Sequence, residues 1–197
     1  MDLRQLKQNV HALPNVQENV EKFQQHWIKP LRSNTNSHLP FLQRLQPSTK
    51  KELNQKITLF YDTLGSVQQR GAVHEKLKSY AHYLVELKLA TLRDDTAKAT
   101  MLTNHLLKDE MMNVSQTLIE VQAFSDAVTL LSEQYHELNG LVQQHLSLEE
   151  TLFLMDLPHK MYLATLVKTA RDQKRLLVDL GRHFVEMARS TPLGRKR

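Results

Sequence analysis

Ten histidines and 21 carboxylates are spread along this 197-residue chain, and a few fall at spacings that chemistry uses. Glu133 and His136 share one helical face at the Glu-x-x-His spacing by which four-helix bundles hold paired iron or manganese ions. Such a centre requires a second copy of the pair and two further glutamates. The sequence has only His183 and Glu186, in reversed order, with Glu86 and Glu120 as loose supplements. An ordinary solvated face accounts for the same residues, so neither a metal nor another cofactor is expected. His82 with Glu86, and His74 with Glu75, have the side chains of acid–base pairs. A general base also needs a concave pocket and a positioned substrate, and structural histidine is the expected role here. There is no glycine-rich phosphate loop, no His-Glu-x-x-His and no nucleophile elbow. Cysteine is absent, which removes disulfides, thiolate metal sites and cysteine nucleophiles together. The expectation is a protein that is not an enzyme.

The most regular charge pattern lies near the C-terminus. Lys168, Arg175, Arg182 and Arg189 recur every seven residues opposite an apolar stripe, with Arg171 beside them. Aligned cations on one helix face form a contact surface for phosphates, nucleic acid or an acidic protein. A plain solvated face is the competing account, and no aromatic residue interleaves the cations on that side for base stacking. The ending Gly194-Arg195-Lys196-Arg197 reads as a disordered basic tail. The net charge of +5 conceals strong asymmetry. Residues 101 to 150 hold one Lys/Arg against eight Asp/Glu, and residues 151 to 197 hold ten against four. An acidic element is followed directly by a basic one, which predicts that the two pair with each other.

The elements that position these residues are helices. Gly and Pro are scarce, and neither occurs between Gly71 and Gly140, a span in which a β-rich fold would need turn residues. At the N-terminus Leu3, Leu6, Val10 and Leu13, then Val16, Val20, Phe23 and Trp27, step by three and four. They form an amphipathic arm, with Pro14 starting its second helix. Residues 29 to 47 carry three prolines and the run Ser33-Asn34-Thr35-Asn36-Ser37, the pattern of a linker with at most a helical turn near Phe41 to Leu45. Thr49 and Glu52 offer a capping box for the next helix, whose stripe of Leu53, Ile57, Phe60, Leu64 and Val67 changes register near Gly71. Asp94-Asp95 ends that helix and caps a short one through Leu107.

A third long helix sets Leu107, Val114, Val121, Val128, Tyr135 and Val142 seven apart, interleaved by Phe124, Leu131 and Leu138. Ser147 with Glu150 makes a second capping box, and Asp156 precedes Pro158, so the chain reverses between residues 147 and 158. The last helix runs to about Arg189, with Leu163, Ala170, Leu177 and Phe184 in one register, Leu166, Leu180 and Met187 in the other, and Gln173 as its polar seam residue. Met111-Met112 and Trp27 read as packing residues.

The sequence therefore predicts an all-α fold: an elongated antiparallel helical bundle with coiled-coil-like long helices and a short N-terminal helical arm. Its parts are the arm at 1–28, a Pro/polar linker at 29–47, the main bundle at 48–190 and the tail at 191–197. No apolar leader opens the chain and no stretch approaches the roughly 18 apolar residues of a membrane span, which predicts a cytoplasmic protein. The function that fits is a non-enzymatic protein–protein interaction module, an adaptor, scaffold or assembly factor, with another protein or a second copy of itself as partner, a homodimer. Phe23 and Trp27 are the candidate docking residues of the arm. The first alternative is binding of nucleic acid or an anionic surface through Lys168, Arg171, Arg175, Arg182 and Arg189; the second is a metal-dependent bundle enzyme.

Overall fold

The computed structural model of the chain describes residues 2–32, 39–105, 114–156 and 159–190. The polar run 33–37, Leu107, the Met111-Met112 pair, Pro158 and the basic tail lie outside the described residues, as does the side chain of Asp156. Among the described residues every regular element is helical. In chain order they are α1 (Leu3–His11), α2 (Val16–Phe23), a π-helical turn (Gln24–Ile28), α3 (Lys29–Arg32), α4 (Phe41–Arg44), α5 (Pro47–Arg70), α6 (Val73–Leu92), α7 (Thr96–His105), α8 (Val114–Gln143), α9 (Leu148–Asp156) and α10 (His159–Ser190). The fold is all-α.

The helix boundaries follow local chemistry, in part as the sequence predicts. Asn15 caps α2 by accepting from the Glu18 amide at 3.0 Å. The π-turn closes with Lys29 N–H donating to Gln24 C=O, a wider ring that sits just ahead of Pro30, which has no amide hydrogen to donate. The helix runs on to Arg32, and Leu31, Leu39, Phe41 and Leu42 are all buried. The described parts of the segment expected to be a linker thus send these four side chains into the core. The start of α5 also differs from expectation. The Thr49–Glu52 capping box is not what begins the helix, because Pro47, whose missing amide hydrogen suits a first helical turn, opens it two residues earlier. The change of register predicted near Gly71 falls where α5 ends and α6 begins. A Cβ at Gly71 would lie 2.7 Å from Val16 Cγ1, so glycine lets α2 approach the end of α5. Asp94 takes the left-handed conformation, φ 53°, after α6, and Asp95 caps α7 by accepting from the Lys98 amide at 3.1 Å.

The chain divides into two compact units. The first comprises Met1–Leu13, Ala72–Ala123 and Ala170–Arg197. In it α6 and α8 run antiparallel: Lys76 pairs with Glu120 at 2.7 Å, and one turn along α6 the Tyr80 hydroxyl meets Thr117 Oγ1 at 3.0 Å. The second comprises Pro14–Gly71 and Phe124–Thr169. Here α5 and α8 are antiparallel, with Lys56 paired to Glu137 at 3.4 Å and Phe60 packed near Tyr135. The N-terminal arm is shared out, α1 to the first unit and α2 to the second. The heptad positions Val121, Phe124, Val128, Leu131, Tyr135, Leu138 and Val142 are all buried. Two carboxylates of the acidic third helix are not paired with the basic last one as expected. Glu120 and Glu137 face lysines of α6 and α5 instead, because those helices flank α8 where its acids emerge.

Candidate functional site

α10 forms because apolar residues recur at helical spacing over 32 positions with no proline or β-branched run to stop it. Its inward face buries Leu163, Leu166, Ala170, Gln173, Leu176 and Leu180. The opposite face carries the cations that the sequence singled out, and Lys168, Arg171, Arg175, Arg182 and Arg189 are all exposed. Lys168 belongs to the second unit and the four arginines to the first. Arg182 stands 4.0 Å from Asp179, one turn back on the same helix. Arg171, Arg175 and Arg189 form no ion pair with any described residue.

The spacing of cations did not reveal that Val178 and Val185 lie in the same stripe, 61% and 47% exposed. Between Arg171 and Arg189 the outward positions read Arg171, Arg175, Val178, Arg182, Val185, Arg189, stepping by four and three. That is the spacing of one side of a coiled-coil seam, turned to solvent. Methylene stems of arginine cover apolar surface while their guanidinium heads stay wet, so this stripe can receive an apolar helix face edged with carboxylates.

Phe23 and Trp27 occupy a different setting from the one expected of docking residues. Both are wholly buried in the second unit. Phe23 packs on Phe60 at 5.4 Å and on Tyr135 at 6.2 Å between centroids, and Trp27 stacks on His159 at 4.3 Å. Their apolar surface is satisfied within the chain, so the arm completes its own bundle and leaves nothing of these rings to present outward. Burial pushes the Tyr135 phenol up to about 12.

The other candidates are scattered. Glu133 and His136 are exposed on α8, and among the described residues no three histidine or carboxylate side chains come together. Lys98, bonded to Glu86 at 2.8 Å, holds that carboxyl below its ordinary value. Glu75 reaches Lys78 at 3.5 Å, and His183 lies 3.8 Å from Glu186. His74 is buried in the first unit, its Nδ1 3.4 Å from Gln173 Nε2. Burial pushes its imidazole down, helped by Lys78 and opposed by Glu75 and the Leu13 carbonyl. Gln173 was legible as a polar seam residue, but its partner lies 99 positions away.

Glu150 is a junction that sequence spacing half reveals. Its expected box with Ser147 is present, the Ser147 amide donating to Glu150 Oε2 at 2.8 Å and the Glu150 amide to Ser147 Oγ at 3.3 Å. The same carboxylate also accepts from the Phe41 amide at 2.8 Å and from Arg44 at 3.0 Å. Burial alone would raise this carboxyl; the bonds from Ser147, Arg44 and Phe41 outweigh it and hold it below the ordinary range. Locked by Glu150, α9 shows Leu148, Leu152 and Met155 to solvent along one face. Among the described residues no helix is long and apolar enough to cross a membrane. Set beside protein-family models, curated proteins and solved structures, the chain matches none of them.

Proposed function

We propose that this chain is a non-enzymatic helical interaction module, an adaptor, scaffold or assembly factor, and that its contact surface is the outward face of α10. The observation that carries this reading is the alignment of exposed Val178 and Val185 with Arg171, Arg175 and Arg189, cations that form no ion pair with a described residue. A purely solvated face has no use for two valines in line, whereas a partner helix buries them and answers the arginines with carboxylates. A surface for nucleic acid uses the cations alone and is indifferent to the valines.

The test uses three probes on the full chain: a synthetic acidic helix with leucine at its seam positions, a short DNA duplex and anionic vesicles. Two variants, R175E/R182E and V178S/V185S, separate charge from apolar contact. The expected result is that the wild type binds the acidic helix and that each variant loses most of that binding. Binding to duplex or vesicles that falls steeply with salt, vanishes in R175E/R182E and survives in V178S/V185S would overturn the reading in favour of an anionic surface.

A further inference from the structure

We propose that the helix received by the α10 face is α8 of a second copy of this chain, aligned antiparallel. This rests on the reading of α10 as a docking face and names its occupant. Over 30 residues α8 contains no lysine or arginine. Its outward side carries Asp126, Leu130, Glu133 and Glu137, all exposed and stepping by four, three and four. Leu130 is 47% exposed. Glu137 reaches Lys56 at 3.4 Å yet keeps 65% of its side chain in solvent, so it still presents charge outward.

Laid antiparallel, four consecutive positions of each stripe match, while Val185 and Arg189 lie beyond them, in this register opposite Ala123 and Ile119. Arg171 faces Glu137, Arg175 faces Glu133, Val178 faces Leu130 and Arg182 faces Asp126. Each of these four layers sets opposite charges together or apolar against apolar, as antiparallel seams require. A parallel alignment stacked on the same turns puts Val178 against Glu133 and Arg175 against Leu130, and so strands the charges on apolar partners. Direction as well as identity is thereby written into the stripes. The α8 positions all belong to the second unit and the α10 positions to the first, so each contact joins unlike units of two copies. The matched stretch spans about 17 Å at 1.5 Å per residue. A contact of that length gives weak, salt-sensitive association.

Sedimentation of the full chain between about 1 and about 300 µM tests this at low and moderate salt. The wild type is expected to associate with rising concentration. E133R and R175E alone each set two arginines or two glutamates opposite one another and are expected to weaken association at least about tenfold. The double variant E133R/R175E restores opposite charges across the contact and is expected to recover most of it. Circular dichroism checks that all three keep wild-type helicity; if a charge reversal unfolds the chain, L130S and V178S take its place, each expected to weaken association. A wild type that stays monomeric throughout overturns the inference, as does a double variant no better than the singles. A monomer that nevertheless binds the synthetic acidic helix through Val178 would retain the docking face and remove only the second copy. A monomer that binds no probe removes both.

Discussion

The two units hold themselves together by different means. The second fills its interior with rings: Phe23, Trp27, Phe60 and Phe124 are fully buried, and Tyr135 touches three of the aromatic side chains around it. The first buries fewer rings and instead sets polar side chains against one another, His74 against Gln173 and Tyr80 against Thr117. Ring packing rewards buried volume above all. A buried polar pair adds less stability, but its partners meet in one register only, and every other register strands them. The contrast teaches that the aromatic half leans mainly on packing, with Glu150 as its buried polar junction, while the other half uses buried polar pairs to specify which helix faces sit together.

The comparison breaks most easily in the aromatic unit. Trp27→Ala removes a fully buried indole stacked on His159 and is expected to destabilise the chain by about 3–5 kcal/mol in urea denaturation followed by circular dichroism. A loss below about 1 kcal/mol would show that rings do not dominate there. Next comes Glu150→Gln, which leaves the Arg44 head and two amides with a weaker acceptor and is expected to cost about 2–3 kcal/mol at neutral pH. Because the folded carboxyl lies below its usual value of 4.5, its contribution is present above that pH and is lost as the solution is acidified further. Acid unfolding curves of wild type and variant should therefore converge.

Gly71→Ala is expected to cost about 1–3 kcal/mol, since Val16 must give way. Adding Val16→Ala should recover part of that loss, a non-additivity that locates the strain at this contact. The smallest effect at neutral pH belongs to the polar unit. His74 is held below its usual value of 6.5, so the folded state takes up fewer protons than the unfolded chain as pH falls beneath it, and stability declines in that window. The double replacement His74→Leu with Gln173→Leu keeps the site filled and should abolish this decline. A decline that persists would assign it to another histidine.

Much of this architecture was legible because helices are local. The heptads of α8, the change of register near Gly71, the Asp95 cap and the Ser147–Glu150 box all follow from residues a few positions apart, where spacing and side-chain chemistry suffice. The α10 cations were legible for the same reason, since a seven-residue repeat places them on one face whatever surrounds the helix. Pairings between helices were not. Nothing near Glu120 in sequence points to Lys76, nor near Glu150 to Phe41, because the packing of distant helices decides which charges meet. Trp27 stayed open between packing and docking on the same ground, and its burial is that of a packing residue: periodicity shows that a side chain lies on an apolar face, but not whether its own chain or another covers that face.

Trp27 is the only tryptophan in the sequence, and it is sealed from water against His159 in the second unit. Ultraviolet emission from this protein is consequently a local signal. A blue-shifted spectrum that dissolved iodide cannot dim reports an intact aromatic unit, whatever happens in the other. Melting curves read by light and by ellipticity need not coincide, and any gap between them measures how far the two halves let go independently.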